Sequence, residues 1–120
     1  MSIDLGKAGE NAVCKLLVSR GFTLIEANYR RKCGEIDLIM AKGEIVSFFE
    51  VKTVSISRET YRPEENIHET KLRKIGKTIQ IWLAHHGLDE SKDWNFNVAC
   101  VYFSRRRQRF FVKFLWDIVL

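Results

Sequence analysis

Apolar positions along this chain fall into two runs with helical spacing and several that alternate. Leu5, Ala8, Ala12, Val13, Leu16 and Leu17 recur every three or four residues and Gly21 follows Arg20 as a stop, which predicts an amphipathic first helix. Leu72, Ile75, Ile79, Trp82 and Leu83 predict a second helix, starting between Asn66 and Thr70 and stopped by Gly87. Between them, Phe22–Asn28 reads as a strand and Tyr29–Cys33 as a short basic connection. Gly34–Ala41 and Glu44–Thr53 read as two antiparallel strands joined by a Lys42-Gly43 turn. Val54–Glu65 lacks periodicity, holds the lone proline, Pro63, and reads as a mobile loop. Further on, Trp94–Phe103 alternates Phe96, Val98, Cys100 and Tyr102 against Ala99, Val101 and Phe103. Arg109–Leu115 is a last strand after a tight basic turn, Ser104–Gln108, and Leu115–Leu120 is an apolar tail expected to pack on the body or on a second subunit.

The central hairpin carries an unusual charge pattern. A two-residue loop at Lys42-Gly43 sets Ala41 against Glu44, Asp37 against Phe48 and Glu35 against Glu50. With side chains alternating, Glu35, Asp37, Glu50 and Lys52 share one face with Ile39, Val46 and Phe48, while Ile36, Leu38, Met40, Ile45, Phe49 and Val51 share the other. Such a hairpin is expected to be buried on both sides. Two carboxylates about 5 Å apart in such a place repel by roughly 3 kcal/mol at an effective dielectric near 20. A divalent cation relieves that repulsion, and hard oxygen ligands suit Mg²⁺ or Mn²⁺. Lys52 is then placed to hold a phosphate oxygen or an attacking water.

Composition narrows the class. At 120 residues the chain is expected to form a single domain, 1–120, with one core. A formal charge of +5 and a pI near 9.3 favour a polyanionic partner without requiring one. Cys14, Cys33 and Cys100 match no zinc spacing; Cys14 and Cys100 read as core residues, and Cys33 is a thiol beside the proposed site. An odd cysteine count, with no signal peptide and no long apolar segment, points to a reducing cytoplasm and no membrane. His68, His85 and His86 show no ligand spacing with the acids and read as surface residues.

An acid, a gap of about a dozen residues and then Glu-x-Lys resembles the active-site pattern of restriction-endonuclease-like (PD-(D/E)xK) nucleases, although a simple strand salt bridge produces the same spacing. More specific is Gly34-Glu35-Ile36-Asp37-Leu38-Ile39 followed by Phe49-Glu50-Val51-Lys52, which resembles the YraN-type family of small bacterial proteins; Gly6-Lys-Ala-Gly-Glu10-Asn-Ala12 resembles its opening motif. The resemblance covers nearly the whole chain. It implies an α/β fold with a restriction-endonuclease-like core, a mixed β-sheet flanked by helices in the order α-β-β-β-α-β-β, related to archaeal Holliday-junction resolvases. From the residues alone, Glu10 beside Val13 and Leu17 is a solvated acid near the helix start; the resemblance instead implies a first-helix glutamate in the metal site. Lys71 matches a family lysine, whereas Asn97 stands where family members usually have aspartate, which removes a charge there.

The leading expectation is a Mg²⁺- or Mn²⁺-dependent endonuclease hydrolysing DNA phosphodiester bonds, at branched or otherwise non-B-form structures. Asp37 and Glu50 hold the metal with the backbone carbonyl of Val51, Glu10 completes the set, Glu35 flanks it and Lys52 acts on water or on developing charge. Arg30, Arg31 and Lys32, which lead into Glu35, are expected to contact phosphate, with Lys71 approaching from the second helix. Arg105, Arg106 and Arg107 read as a solvated hairpin tip whose place relative to the acids the sequence does not fix. By resemblance only, two sites for two strands imply a homodimer. Two rivals remain open: a nucleic-acid-binding module that keeps the fold but cuts nothing, and an interaction protein with structural ion pairs. Intact ligands show capacity, not turnover.

Overall fold

Asp4 opens the first helix, its carboxylate accepting the Lys7 N–H at 3.1 Å and so satisfying one of the free donors of the first turn. Helix α1 spans Leu5–Ser19 and ends where Gly21 takes φ +95° and Phe22 N–H donates to Leu17 O. Helix α2, Glu69–His85, ends in the same way, with Gly87 at φ +66° and Leu88 N–H donating to Leu83 O. The five strands are β1 (Thr23–Arg31), β2 (Gly34–Lys42), β3 (Ile45–Ile56), β4 (Trp94–Ser104) and β5 (Arg109–Leu115). This computed structural model describes residues 4–56, 69–89 and 91–120; residues 57–65 of the predicted loop, and His68, lie outside them.

The strands form one sheet in the order β1-β2-β3-β4-β5, antiparallel except for the parallel pair β3 and β4, which α2 connects. The α/β class, the mixed sheet and the order α-β-β-β-α-β-β are those the resemblance implies. Two boundaries differ from the sequence expectation. β1 runs on through Arg30 and Arg31, which pair with Glu35 and Gly34 and leave only Lys32 and Cys33 as the turn. Charged residues sit easily on an edge strand, so the basic run did not end it. β3 continues to Ile56 because β4 supplies a parallel ladder as far as Ser104, so Val54–Ile56 is strand, not loop.

The hairpin register also differs. The loop is Gly43-Glu44, with Gly43 first at φ +60° as a type II′ turn requires, and Lys42 faces Ile45. A glycine suits either loop position, and Gly43 takes the first. The shift amounts to two residues along the ladder, so most side chains keep their predicted faces while their cross-strand neighbours change.

Both faces of the sheet are covered. Ile75, Ile79, Trp82 and Leu83 of α2 pack on Tyr29, Ile36, Ile39, Val46, Phe48, Phe96, Val98 and Cys100. Val13 and Leu17 of α1 pack on Leu38, Met40, Phe49, Ala99 and Val101. Ile36 departs from the expected face, joining the α2 side opposite to Leu38, and Ile45, beside the turn, is exposed where burial was expected. β2 therefore rolls about its own axis between Ile36 and Leu38, next to Asn28, which β1 holds at φ +54°. The tail packs on the body of the same chain. Asn97, fully buried, accepts the Asp117 N–H at 2.9 Å, Ile118 N–H donates to Phe96 O, and Trp116 lies against Phe22, Phe49 and Phe114.

The consequence for function is a fork. β2 and β3 pair only from Lys42↔Ile45 to Leu38↔Phe49. Beyond that rung β2 stays with β1 as far as Gly34, and β3 stays with β4 as far as Ser104. Two glycines bring the helices close to the two arms. A Cβ on Gly9 of α1 would fall 1.9 Å from Thr53 Oγ1, and one on Gly34 would fall 2.9 Å from Thr78 Oγ1 and 3.4 Å from the Lys74 carbonyl. Gly9→Ala is accordingly expected to destabilise the protein by about 1–3 kcal/mol, despite the better helix propensity of alanine, and Gly34→Ala by a similar amount. Urea unfolding checks this; an unchanged midpoint for Gly9→Ala would mean that α1 does not depend on this contact.

Candidate active site in the fork

Where the ladder stops, a side chain takes over. Continuing the register by one step past Leu38↔Phe49 brings Asp37 level with Glu50, and Asp37 Oδ2 accepts the Val51 N–H at 2.7 Å. A carboxylate thus replaces the next backbone acceptor, which requires Asp37 to aim along the sheet into the fork. The roll of β2 between Ile36 and Leu38 provides that direction. Glu35, predicted to face Glu50, instead pairs across β1 with Arg30, its Oε1 3.1 Å from Arg30 Nε.

Below the fork on the α2 side lies a cavity of about 330 Å³, lined by Gly34, Glu35, Asp37, Glu50, Val51, Lys52, Lys71, Lys74 and Ile75. Every hairpin residue predicted for the site therefore lines one space. Glu50 is 7% exposed; one of its oxygens forms an ion pair with Lys71 Nζ, and the other, Oε2, is buried without a hydrogen-bond partner. Glu10, on α1 at the other face of the sheet, is near enough to act on the Asp37 charge but is not among the residues of that cavity; it lines a separate, smaller one of about 70 Å³ with Lys7, Cys14, Asn28 and Leu38. Its Oε1 is also buried and unpartnered, as is the neighbouring Thr53 Oγ1.

The electrostatics follow from this crowding. Burial pushes the Asp37 carboxyl up from 3.8 to about 7; the Val51 hydrogen bond opposes the rise, and Glu10, Glu50 and Glu35 add to it. Glu10 is raised as well, chiefly by burial and then by Glu35, with Lys7 and Arg30 pulling the other way. Among the described residues no three Asp, Glu, His or Cys side chains are gathered closely enough to form a metal site by themselves. A divalent ion at the fork would rely on one or two carboxylates and fill its remaining positions with water or phosphate, which is how Mg²⁺ is commonly held. The hard, electron-rich and partly orphaned oxygens of Asp37 and Glu50 fit that ion.

The basic residues divide. Lys71 is inside the site, already paired with Glu50. Arg30 stands at its rim through Glu35, Arg31 lies over the Tyr29 ring with its guanidinium carbon 4.3 Å from the centroid, and Lys32 is exposed in the turn. Cys33 Sγ lies 3.2 Å from Thr78 Oγ1 and is not one of the cavity residues. His86 Nδ1 is 2.8 Å from the Trp82 carbonyl, remote from the acids in the fold. Asn97 fixes the tail instead of joining the site.

Sequence reasoning missed three participants: the Lys71–Glu50 pair, Lys74 in the cavity wall, and the seating of α1 by Gly9 against Thr53. Only the last had a readable signal, because a glycine inside a helix, immediately before a candidate acid, costs about 1 kcal/mol unless something needs the space.

Two tests arise from the charges. Asp37 binds its proton more tightly when folded, so its contribution to stability is fully present below about pH 4, declines as the pH rises and is lost above about 7. Metal-free protein is expected to lose several degrees of Tm between pH 5 and pH 8, and Asp37→Asn to flatten that decline; equal slopes would show that Asp37 ionises normally. Lys71→Met leaves the Glu50 carboxylate buried without its cation, and a loss of about 1–3 kcal/mol is expected in metal-free buffer. An unchanged urea midpoint would reduce that pair to a surface contact.

Comparison with known proteins places this architecture. The model of "Uncharacterised protein family UPF0102" matches residues 9–110, a span that holds both helices' approach to the fork and all the acids. A UPF0102 protein of Alkaliphilus metalliredigens (strain QYMF) is 37% identical over 108 residues, 90% of this chain and 93% of the relative. One of Campylobacter jejuni subsp. jejuni (strain 81-176) is 36% identical over 96 residues, 80% and 81% of the two chains. One of Renibacterium salmoninarum is 39% identical over 89 residues, 74% and 75%. With a match over most of its length and relatives aligned along most of theirs, the chain belongs to the UPF0102, or YraN-type, family.

Proposed function

We propose that this protein is a Mg²⁺- or Mn²⁺-dependent phosphodiesterase that hydrolyses DNA, with branched or otherwise non-B-form DNA as its substrate. The observation that carries the reading is the desolvated acid pair at the base of the fork, Asp37 and Glu50, in one cavity with Lys52. When bound, the cation supplies polarisation of the scissile phosphate and a lower pKa for its water. Asp37 and Glu50 hold it, with the Val51 carbonyl beside them and Glu10 approaching from the other face of the sheet. Lys52 orients the attacking water or takes up negative charge as it develops on the phosphate. Glu35 holds the Arg30 guanidinium at the rim, where it meets a phosphate; Arg31 and Lys32 extend that contact. Lys71 must release Glu50 for the carboxylate to serve as a ligand. Its side chain is 42% exposed, so the freed ammonium has room to move to a phosphate oxygen.

One observation favours a second reading. Lys71 already neutralises Glu50, as a structural cation would in a binding module that cuts nothing. A cleavage assay over duplex, single-stranded, flapped and four-way-junction DNA with Mg²⁺ and with Mn²⁺ separates the two, since the binding module retains affinity and yields no product.

Asp37→Asn and Glu50→Gln are each expected to abolish Mn²⁺ binding by calorimetry in a protein that still folds; parent-like binding by either removes that residue from the ligand set. Lys52→Ala is expected to lower cleavage by about 100-fold or more while DNA affinity changes less than about threefold, because one phosphate contact among many contributes little to binding. Parallel losses in both would make Lys52 an ordinary phosphate anchor.

A further inference from the structure

The arginine-rich turn between β4 and β5 acquires a definite position from the strand register. β3 and β4 run parallel, with Lys52 beside Cys100 and Ile56 beside Ser104, so the turn stands past the end of β3. That is the direction in which the fork opens. Ser104 lies level with a point six residues beyond Glu50, about 20 Å along the strand at a rise of about 3.3 Å per residue. The other arm ends in the Lys32-Cys33 turn, next to Gly34, which is three residues and about 10 Å beyond Asp37. Both hairpin tips therefore project past the acids on the same side. Three strand spacings separate them in the sheet, about 14 Å before the splay of the fork is added.

The turn is built, which distinguishes it from a loose solvated tip. Ser104 Oγ accepts the Arg107 N–H at 3.2 Å, Gln108 Nε2 donates to the Arg105 carbonyl at 2.6 Å, and Arg105 Nε donates to Ser55 Oγ on β3 at 3.2 Å. Arg106 and Arg107 remain exposed. The sequence from Trp94 to Trp116 contains no Asp or Glu, and neither ion pair seen among the described residues involves the turn. Among the described residues this cluster of like charges has no carboxylate partner, so it repels itself, and a row of phosphates relieves that repulsion.

We infer that the β4–β5 turn is a second phosphate-binding arm, and that duplex DNA spans the mouth of the fork with one backbone on Arg30, Arg31 and Lys32 and the other on Arg106 and Arg107. With the ~10 Å difference in their reach along the strands added to the ~14 Å across them, the tips stand roughly 17 Å apart, the order of the ~12 Å-wide B-DNA major groove together with the two backbones that border it, so one duplex meets both. The inference depends on the proposed function for the identity of the polyanion, and on no catalytic step.

Fluorescence anisotropy of a labelled duplex in EDTA, from about 50 to about 200 mM salt, tests it without cleavage. Each phosphate contact contributes roughly −0.9 to the log–log slope, so Arg106→Ala with Arg107→Ala is expected to make the slope shallower by about two units. Arg30→Ala with Arg31→Ala is expected to do the same, and all four changes together to add. Replacing Arg106 and Arg107 by lysine keeps the charge and is expected to keep the slope, which separates charge from folding. A parent-like slope for the Arg106/Arg107 alanine pair overturns the inference and leaves the nuclease reading standing. Binding that depends on both arms, with no product in the cleavage assay, supports the inference and overturns the nuclease reading. A parent protein that does not bind the duplex overturns the inference outright.

Discussion

A single hydrogen bond marks where this sheet divides: the Asp37 carboxylate accepts the Val51 N–H in place of a backbone carbonyl. From that point β2 leaves β3, and the backbone groups that would have closed the next rungs line an opening instead. The bond is also what the site needs chemically. It fixes one Asp37 oxygen and keeps the carboxylate level with Glu50, at the point where β2 sends Ile36 and Leu38 to opposite cores. The two close approaches at Gly9–Thr53 and Gly34–Thr78 then seat a helix against each arm, so both helices deliver a charged group, Glu10 from one side and Lys71 from the other.

The charge balance at the fork explains why the site is poised and not merely acidic. Four carboxylates lie around the fork without forming a single cluster; Arg30 answers Glu35 and Lys71 answers Glu50, while Asp37 is driven toward protonation and Glu10 follows in the same direction. A proton on Asp37 and the ammonium of Lys71 do for the protein alone what a divalent cation does in the proposed function. Replacing a buried ion pair by a stronger one is favourable only if the displaced partner finds new company, and a phosphate supplies it for Lys71. Metal and nucleic acid are on this account coupled ligands, each improving the site for the other.

Much of this was legible in the sequence. Both helices came from the spacing of Val13 and Leu17 and of Ile75, Ile79, Trp82 and Leu83, because α1 and α2 bury only one stripe each. β5 was placed at Arg109–Leu115, and the hairpin acids line one cavity with Lys52, although the roll of β2 and the turn of Glu35 toward Arg30 changed how Asp37 and Glu35 enter it. What failed depended on tertiary partners. Period-two reasoning cannot foresee the roll at Asp37, whose side chain bonds to Val51, fourteen residues away. The extra length of β1 and β3 came from the strands beside them, and the ion pair of Lys71 with Glu50 joins residues that only the packing of α2 brings together. The position of the arginine turn was likewise beyond reach until the parallel register of β3 and β4 was known.

The central claim is that the fork holds a divalent cation between Asp37 and Glu50. Anomalous diffraction from crystals soaked in Mn²⁺ addresses it most directly. The account predicts one peak at the base of the fork, within ligand distance of both carboxylates, with Lys71 Nζ withdrawn from Glu50. A fork without a peak, with Lys71 still on Glu50 at a Mn²⁺ concentration that loads other sites, would contradict it.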